Sequence, residues 1–182
     1  MKIIKLMNKI FVSALFVFYM YAVIRVILFK FRWRDLSFLS YQLQTNLGNP
    51  VNLINELKMG NLIPFKTIFI NINTLSSWPD FSNLVGNIVA FIPFGMFLVL
   101  LSKNRGMSFI GVFCRSLIFS LCLETSQVVF SLGIFDVDDL ILNTSGGLLG
   151  YCAIKFCDRV YNKFIDISGV GQDREIVDKQ EF

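Results

Sequence analysis

The chain has 182 residues, of which 54% are hydrophobic and 16% charged, and it carries a net charge of +4. Soluble domains hold roughly 25% charged residues, so this composition excludes an ordinary water-soluble fold; its few scattered positive charges exclude a nucleic-acid patch. Histidine is absent, which removes imidazole acid–base chemistry, His-activated nucleophiles and His zinc sites.

In chain order, Lys2, Lys5 and Lys9 precede an apolar run over residues 10–29. It is longer than a signal-peptide core of about 7–15 residues and no small-x-small cleavage site follows it. It reads as a retained first span, with Arg25 snorkelling near its end. Residues 30–80 are more polar. They begin basic (Lys30, Arg32, Arg34), and the Asn-, Gln- and Gly-rich stretch 42–50 reads as a surface loop. Residues 60–70 are apolar but contain Pro64. A span needs about 20 residues, so this piece is predicted to lie in the membrane interface or to dip in and return. Trp78 suits the headgroup belt. A second span is predicted over 83–101, with a kink or break at Pro93. A basic turn, Ser102 to Gly106, leads to a third span over 107–130 that contains Arg115 and Glu124. Arg115 is expected to face inward by default, with an ion pair to Glu124 and a lipid-phosphate contact both open. A fourth span is predicted over 140–157, and Cys114, Cys122, Cys152 and Cys157 read as small hydrophobes without zinc spacing.

The expected fold is an all-α membrane protein. It is one domain over residues 1–165, a bundle of about four transmembrane helices with a long extracytoplasmic loop, followed by a disordered cytoplasmic tail over 166–182. Counting Lys and Arg on each side favours both termini in the cytoplasm of a multi-pass cell-membrane protein, although the basic cluster after the first span opposes that orientation.

With that topology, unusual polar groups share one depth near the outer face. Asn61 and Pro64 lie in the outer loop. Asn83 and Asn87 are four apart and share a helical face. Glu124 and Gln127 are three apart at the outer end of the third span. Asp136, Asp138 and Asp139 lead into the fourth span, with Asn143 one turn below. Each has a plainer reading: Asp136 or Asp138 capping the fourth helix, Asn83 and Asn87 as interhelical hydrogen bonds, and Gly146, Gly147 and Gly150 with Asn143 as a packing stripe facing Gly86 and Ala90. Burial disfavours charge on Glu124, and acids clustered there repel. A divalent cation or a cationic amine would relieve that repulsion, although Asp136-Val137-Asp138-Asp139 is not a complete metal loop.

At these residues the sequence resembles the VanZ-like family of small integral membrane proteins. The likeness rests on Asn61-Leu62-Ile63-Pro64-Phe65-Lys66-Thr67-Ile68, on residues 83–95 with Asn83, Asn87 and Pro93, on Glu124-Thr125-Ser126-Gln127, and on Phe135 to Tyr151, in that order. Many members carry an Arg just before the acidic string; here Gly133-Ile134 stands in its place. The resemblance implies low-level resistance to teicoplanin and related lipoglycopeptides in Gram-positive bacteria, and it supplies no mechanism. One reading is a non-enzymatic envelope protein binding a lipid, a lipid-linked wall precursor or an amphiphilic antibiotic. The alternative is a membrane enzyme using the carboxylates, with or without Mg²⁺, on a lipid-linked substrate. A third is a small ion-coupled carrier titrating at Glu124.

Overall fold

In the computed structural model, residues 2–29, 35–74, 78–103 and 106–168 are described. They form helices α1 (Lys2–Phe29), α2 (Leu36–Gly48), α3 (Pro50–Met59), α4 (Lys66–Asn73), α5 (Trp78–Leu101), α6 (Phe109–Val129) and α7 (Val137–Ser168). Four are long and apolar enough to cross a membrane: Lys9–Leu28, Trp78–Leu101, Phe109–Val129 and Val137–Phe164. The basic residues Lys30, Arg32, Arg34 and Arg105, and the tail from residue 169 onward, lie outside the described residues.

The helix ends explain where the boundaries moved. α5 begins at Trp78, not at 83, because Pro79 fits a first turn and Asp80 complements its dipole. α7 begins at Val137 because Asp136 caps it, the Asp138 backbone N–H donating to Asp136 Oδ1 at 2.8 Å. The stretch expected to be a loop, 42–50, is mostly helix. Asn, Gln and Thr cost a helix little, and the only punctuation is Gly48-Asn49-Pro50. There Asn49 ends α2 and caps α3, and Pro50 takes the first turn of α3. α5 also continues through Pro93 without a break.

α5 and α7 run parallel and form the closest pair. Gly95 packs on Gly147, while Gly146 and Gly150 sit on the carbonyls of Ile88 and Ile92. The packing stripe is therefore real, but its counterpart is not Gly86, which faces open space with only Ser82 nearby. Backbone contact along Ile88 to Gly95 brackets Pro93, which is the physical reason the helix is held unbroken there. α6 lies against the other side of α7, and Gly147 also accommodates Ser116. α1 packs through Val23 and Ile27 onto Phe91, Phe94 and Leu123. The Tyr19 hydroxyl donates to the Ala90 carbonyl at 2.6 Å.

Outward faces are apolar, as lipid contact requires. Phe18 is 70% exposed and Ile110 71%, and all four cysteines are free and exposed. Arg115 is also exposed. Its guanidinium folds back to the Gly111 carbonyl at 3.0 Å and to Met107 at 3.4 Å. Helical side chains lean toward the N-terminus, so Arg115 snorkels to the nearby helix end. The inward placement is corrected accordingly.

Candidate functional site: a cross-capped end of the bundle

At the end of the bundle opposite the C-terminus of α5 and the N-terminus of α6, helix ends are satisfied by side chains from other elements. A helix leaves its first amides and last carbonyls unpaired, and hydrocarbon offers them no water.

Asp138 is the centre of this arrangement. It is fully buried and accepts from the backbone N–H groups of Phe65, Thr67 (2.7 Å) and Ile68 (3.1 Å). The first turn of α4 has no cap of its own; a carboxylate on α7 supplies it. Phe65 makes this possible by adopting a left-handed conformation, φ 68°, which turns its N–H toward Asp138. Such a backbone costs a bulky residue about 1–3 kcal/mol, offset here by the charge-assisted hydrogen bonds.

Asn61 joins the same knot. Its amide donates to Asp136 Oδ1 at 2.9 Å, to Thr67 at 3.0 Å and to Asp138 at 3.4 Å. Its backbone forms a parallel bridge with Asp136, the Asn61 N–H donating to the Phe135 carbonyl at 2.8 Å and the Val137 N–H to the Asn61 carbonyl at 2.9 Å. Gly60 permits that approach, since any Cβ there would collide with the Phe135 carbonyl. Glu124, fully buried, accepts from the Asp136 backbone N–H at 3.1 Å. Asp139 accepts from Asn87 at 2.6 Å, and Asn87 also reaches Asn83 at 3.4 Å.

The structure thus brings together Asn61, Asn83, Asn87, Glu124, Asp136, Asp138 and Asp139. It places three expected members elsewhere. Gln127 donates to the Ile27 carbonyl at 3.1 Å and so caps the end of α1. Asn143 donates to Ser120 at 2.8 Å in the α6–α7 seam. Pro64 is exposed in the turn before α4. Asn143 points away because it lies one turn further into the bundle, where α6 presents Ser116 and Ser120; Gln127 points away because α6 turns that side toward α1.

Two contributors escaped the sequence reading. The amides of Phe65, Thr67 and Ile68 carry no side-chain signal. Asn46, buried in α2, donates to the Val129 carbonyl at 2.9 Å and to Ser131 Oγ at 3.1 Å, closing the end of α6. Its signal was an Asn inside a helical segment mistaken for a loop. Asn46→Ala is expected to destabilise the protein by about 1–2 kcal/mol, measured by thermal unfolding in detergent, because it strips the last carbonyls of α6.

Chemically, the oxygens that define this knot accept from the chain's own amides. Among the described residues no three Cys, Asp or Glu side chains stand close enough to share a metal ion. The arrangement holds chain segments together, its acids accepting from α4, from the start of α7 and from Asn87.

The VanZ/LLP1 family profile matches residues 16–158. Protein VanZ of Enterococcus faecium is 32% identical over 144 residues, covering 79% of this chain and 73% of that protein. No solved structure matches the chain. The match spans most of the four apolar helices and the whole of the cross-capped end, and the chain belongs to the VanZ/LLP1 family.

Proposed function

We propose that this protein lowers the susceptibility of a Gram-positive bacterium to teicoplanin and related lipoglycopeptides. It acts from the cell membrane, with the cross-capped end facing outward, both termini in the cytoplasm, and an amphiphile bound at the outer face: a lipid, a lipid-linked wall precursor or the antibiotic itself. The observation that carries this reading is convergence. The separated pieces on which the family likeness rests, Asn61 with the following turn, Asn83 and Asn87, Glu124, and Asp136 to Asp139, meet in one assembly. The orientation is supported by Lys103, Lys155, Arg159 and Lys163 at the opposite end. The acids' engagement with backbone and Asn groups favours a binder over a carboxylate enzyme.

The test is expression in a teicoplanin-susceptible host, comparing the parent with Glu124→Gln, Asp136→Asn and Asp139→Asn at matched membrane levels. The parent is expected to raise the inhibitory concentration above the empty vector, and the variants to lose part or all of that gain. A parent that protects no better than the vector overturns the function; variants that all protect fully overturn the assignment to this assembly. In a background lacking the native cysteines, Ser131→Cys should be labelled from outside the cell. Labelling only from the cytoplasmic side reverses the orientation.

A further inference from the structure

The cross-capped plane has a measurable depth. Asn87, paired with Asp139, precedes the end of α5 at Leu101 by fourteen residues, about 21 Å of helix. Glu124, bonded to the Asp136 backbone, follows the start of α6 at Phe109 by fifteen residues, about 22 Å. The end of α5 and the start of α6 are taken to the same membrane boundary, because Lys103 stands two residues after α5 and Arg115 folds its charge back to Gly111 and Met107. A bilayer's hydrocarbon is about 30 Å thick. The plane of Asp138 and Glu124 therefore lies about 8 Å inside the opposite boundary, and helix tilt only deepens it.

α5 supplies a second ruler. It begins at Trp78, nine residues before Asn87, about 13 Å above the plane. α4 starts at the plane, where Asp138 caps it, packs on α5, and its eight residues are about 12 Å long. From the plane the chain must climb to Trp78, which opens α5 five residues after the end of α4. The turn before α4 therefore lies at the depth of the plane, and it is apolar on its outside: Leu62 59%, Ile63 62% and Phe65 62% exposed, followed by Phe69 68% on α4. This surface continues into Trp78 (76%) and Phe81 (42%) on the membrane-facing side of α5.

We propose that residues 61–73 form a re-entrant hairpin whose tip, Leu62 to Phe65, is immersed among the acyl chains of one leaflet, which are its partner. Backbone at that depth must be satisfied within the protein, and the Asp138 carboxylate and the Asn61–Asp136 bridge provide this where the chain is not helical. Charge at that depth must be buried and paired, and Asp138 and Glu124 are fully buried. The hairpin displaces acyl-chain volume beside the bundle. This inference goes beyond the resistance reading and does not depend on it.

The experiment uses the full chain in phosphatidylcholine vesicles. The two native tryptophans are Trp33 and Trp78. One variant carries Trp33→Phe and keeps Trp78 as the interface reference. Two others carry Trp33→Phe and Trp78→Phe with either Phe65→Trp or Ile63→Trp, both at exposed side chains. Emission is measured with lipids brominated near the headgroup or at mid-chain, and with iodide in the water. The introduced indoles are expected to be quenched more by mid-chain bromine than Trp78 is, and less by iodide. Strong iodide quenching with no bromolipid effect at both positions places the tip in water and overturns the proposal. Antibiotic susceptibility plays no part in the readout, so failure here leaves the resistance reading to its own test.

Discussion

Asp138→Ala is expected to destabilise the protein by about 3 kcal/mol or more and to free α4 from the bundle. The substitution removes the acceptor for three backbone amides at once, those of Phe65, Thr67 and Ile68. Each buried donor left without a partner costs about 1–3 kcal/mol, and hydrocarbon offers no water in exchange. The left-handed Phe65 loses the interaction that compensates its strain, so the turn relaxes toward ordinary backbone. Asp138→Asn retains one acceptor oxygen but turns an NH2 group toward donors, and an intermediate loss follows. Asp139→Asn should be mildest, because its partner Asn87 has both donor and acceptor. Thermal unfolding in detergent orders the series. Amide hydrogen exchange adds the local readout, with Thr67 to Asn71 exchanging faster in Asp138→Ala while mid-α6 amides keep their protection until global unfolding. Unchanged exchange at Thr67 and Ile68 would show that α4 holds itself without Asp138.

Particular residues show how much of this was legible in the sequence. The four apolar runs announce themselves by length, since nothing but a span needs about 20 apolar residues. Their ends are less legible: α5 gained a turn from Trp78-Pro79-Asp80, and α7 gained one from the cap at Asp136. The loop expected over 42–50 failed because polarity was read as irregularity, whereas Gln42, Gln44 and Asn46 sit comfortably in a helix that packs its Asn under α6. The carboxylate–carboxamide cluster was legible as a set, because acids beside hydrocarbon need partners. Which partner each acid takes was not. Asp138 was a candidate cap for its own helix, but in the fold Asp136 takes that role and Asp138 caps α4, 65 or more positions earlier in sequence. No periodicity encodes a side chain that satisfies backbone amides of a distant turn. Gln127 shows the same limit, since it shares its sequence neighbourhood with Glu124 yet reaches Ile27 on α1. Arg115 was misplaced for a different reason: an inward default ignores the reach of a guanidinium toward its own helix end.

The glycines give the second large effect, and here one substitution should change sign along a single helix. Gly86→Ala places its Cβ in open space near Ser82 only, so it should stabilise α5 by about 0.5–1 kcal/mol through helix propensity alone. Gly95→Ala gains the same propensity but drives its Cβ into the Gly147 carbonyl. Backbone cannot rotate away as a side chain can, so the α5–α7 pair must separate, at a cost of about 3 kcal/mol or more. Gly146→Ala and Gly150→Ala meet the carbonyls of Ile88 and Ile92 in the same way. Gly147→Ala differs, because its collision is with the Oγ and Cβ of Ser116. That obstacle is a side chain, so adding Ser116→Gly should recover most of the stability lost in Gly147→Ala, whereas no side-chain deletion can rescue Gly146→Ala. Thermal unfolding of Gly86→Ala, Gly95→Ala, Gly146→Ala, Gly147→Ala and the double variant decides the matter. Equal stability of Gly86→Ala and Gly95→Ala would mean that α5 and α7 do not meet backbone to backbone, and failure of Ser116→Gly to rescue Gly147→Ala would mean that α6 does not press Ser116 onto Gly147. The tightness of that contact also matters for the polar end: Asp139 reaches Asn87 only while the two helices keep this spacing. Gly146→Ala should therefore weaken the Asn87–Asp139 pair as well, and combining it with Asn87→Ala should cost less than the sum of the two single losses.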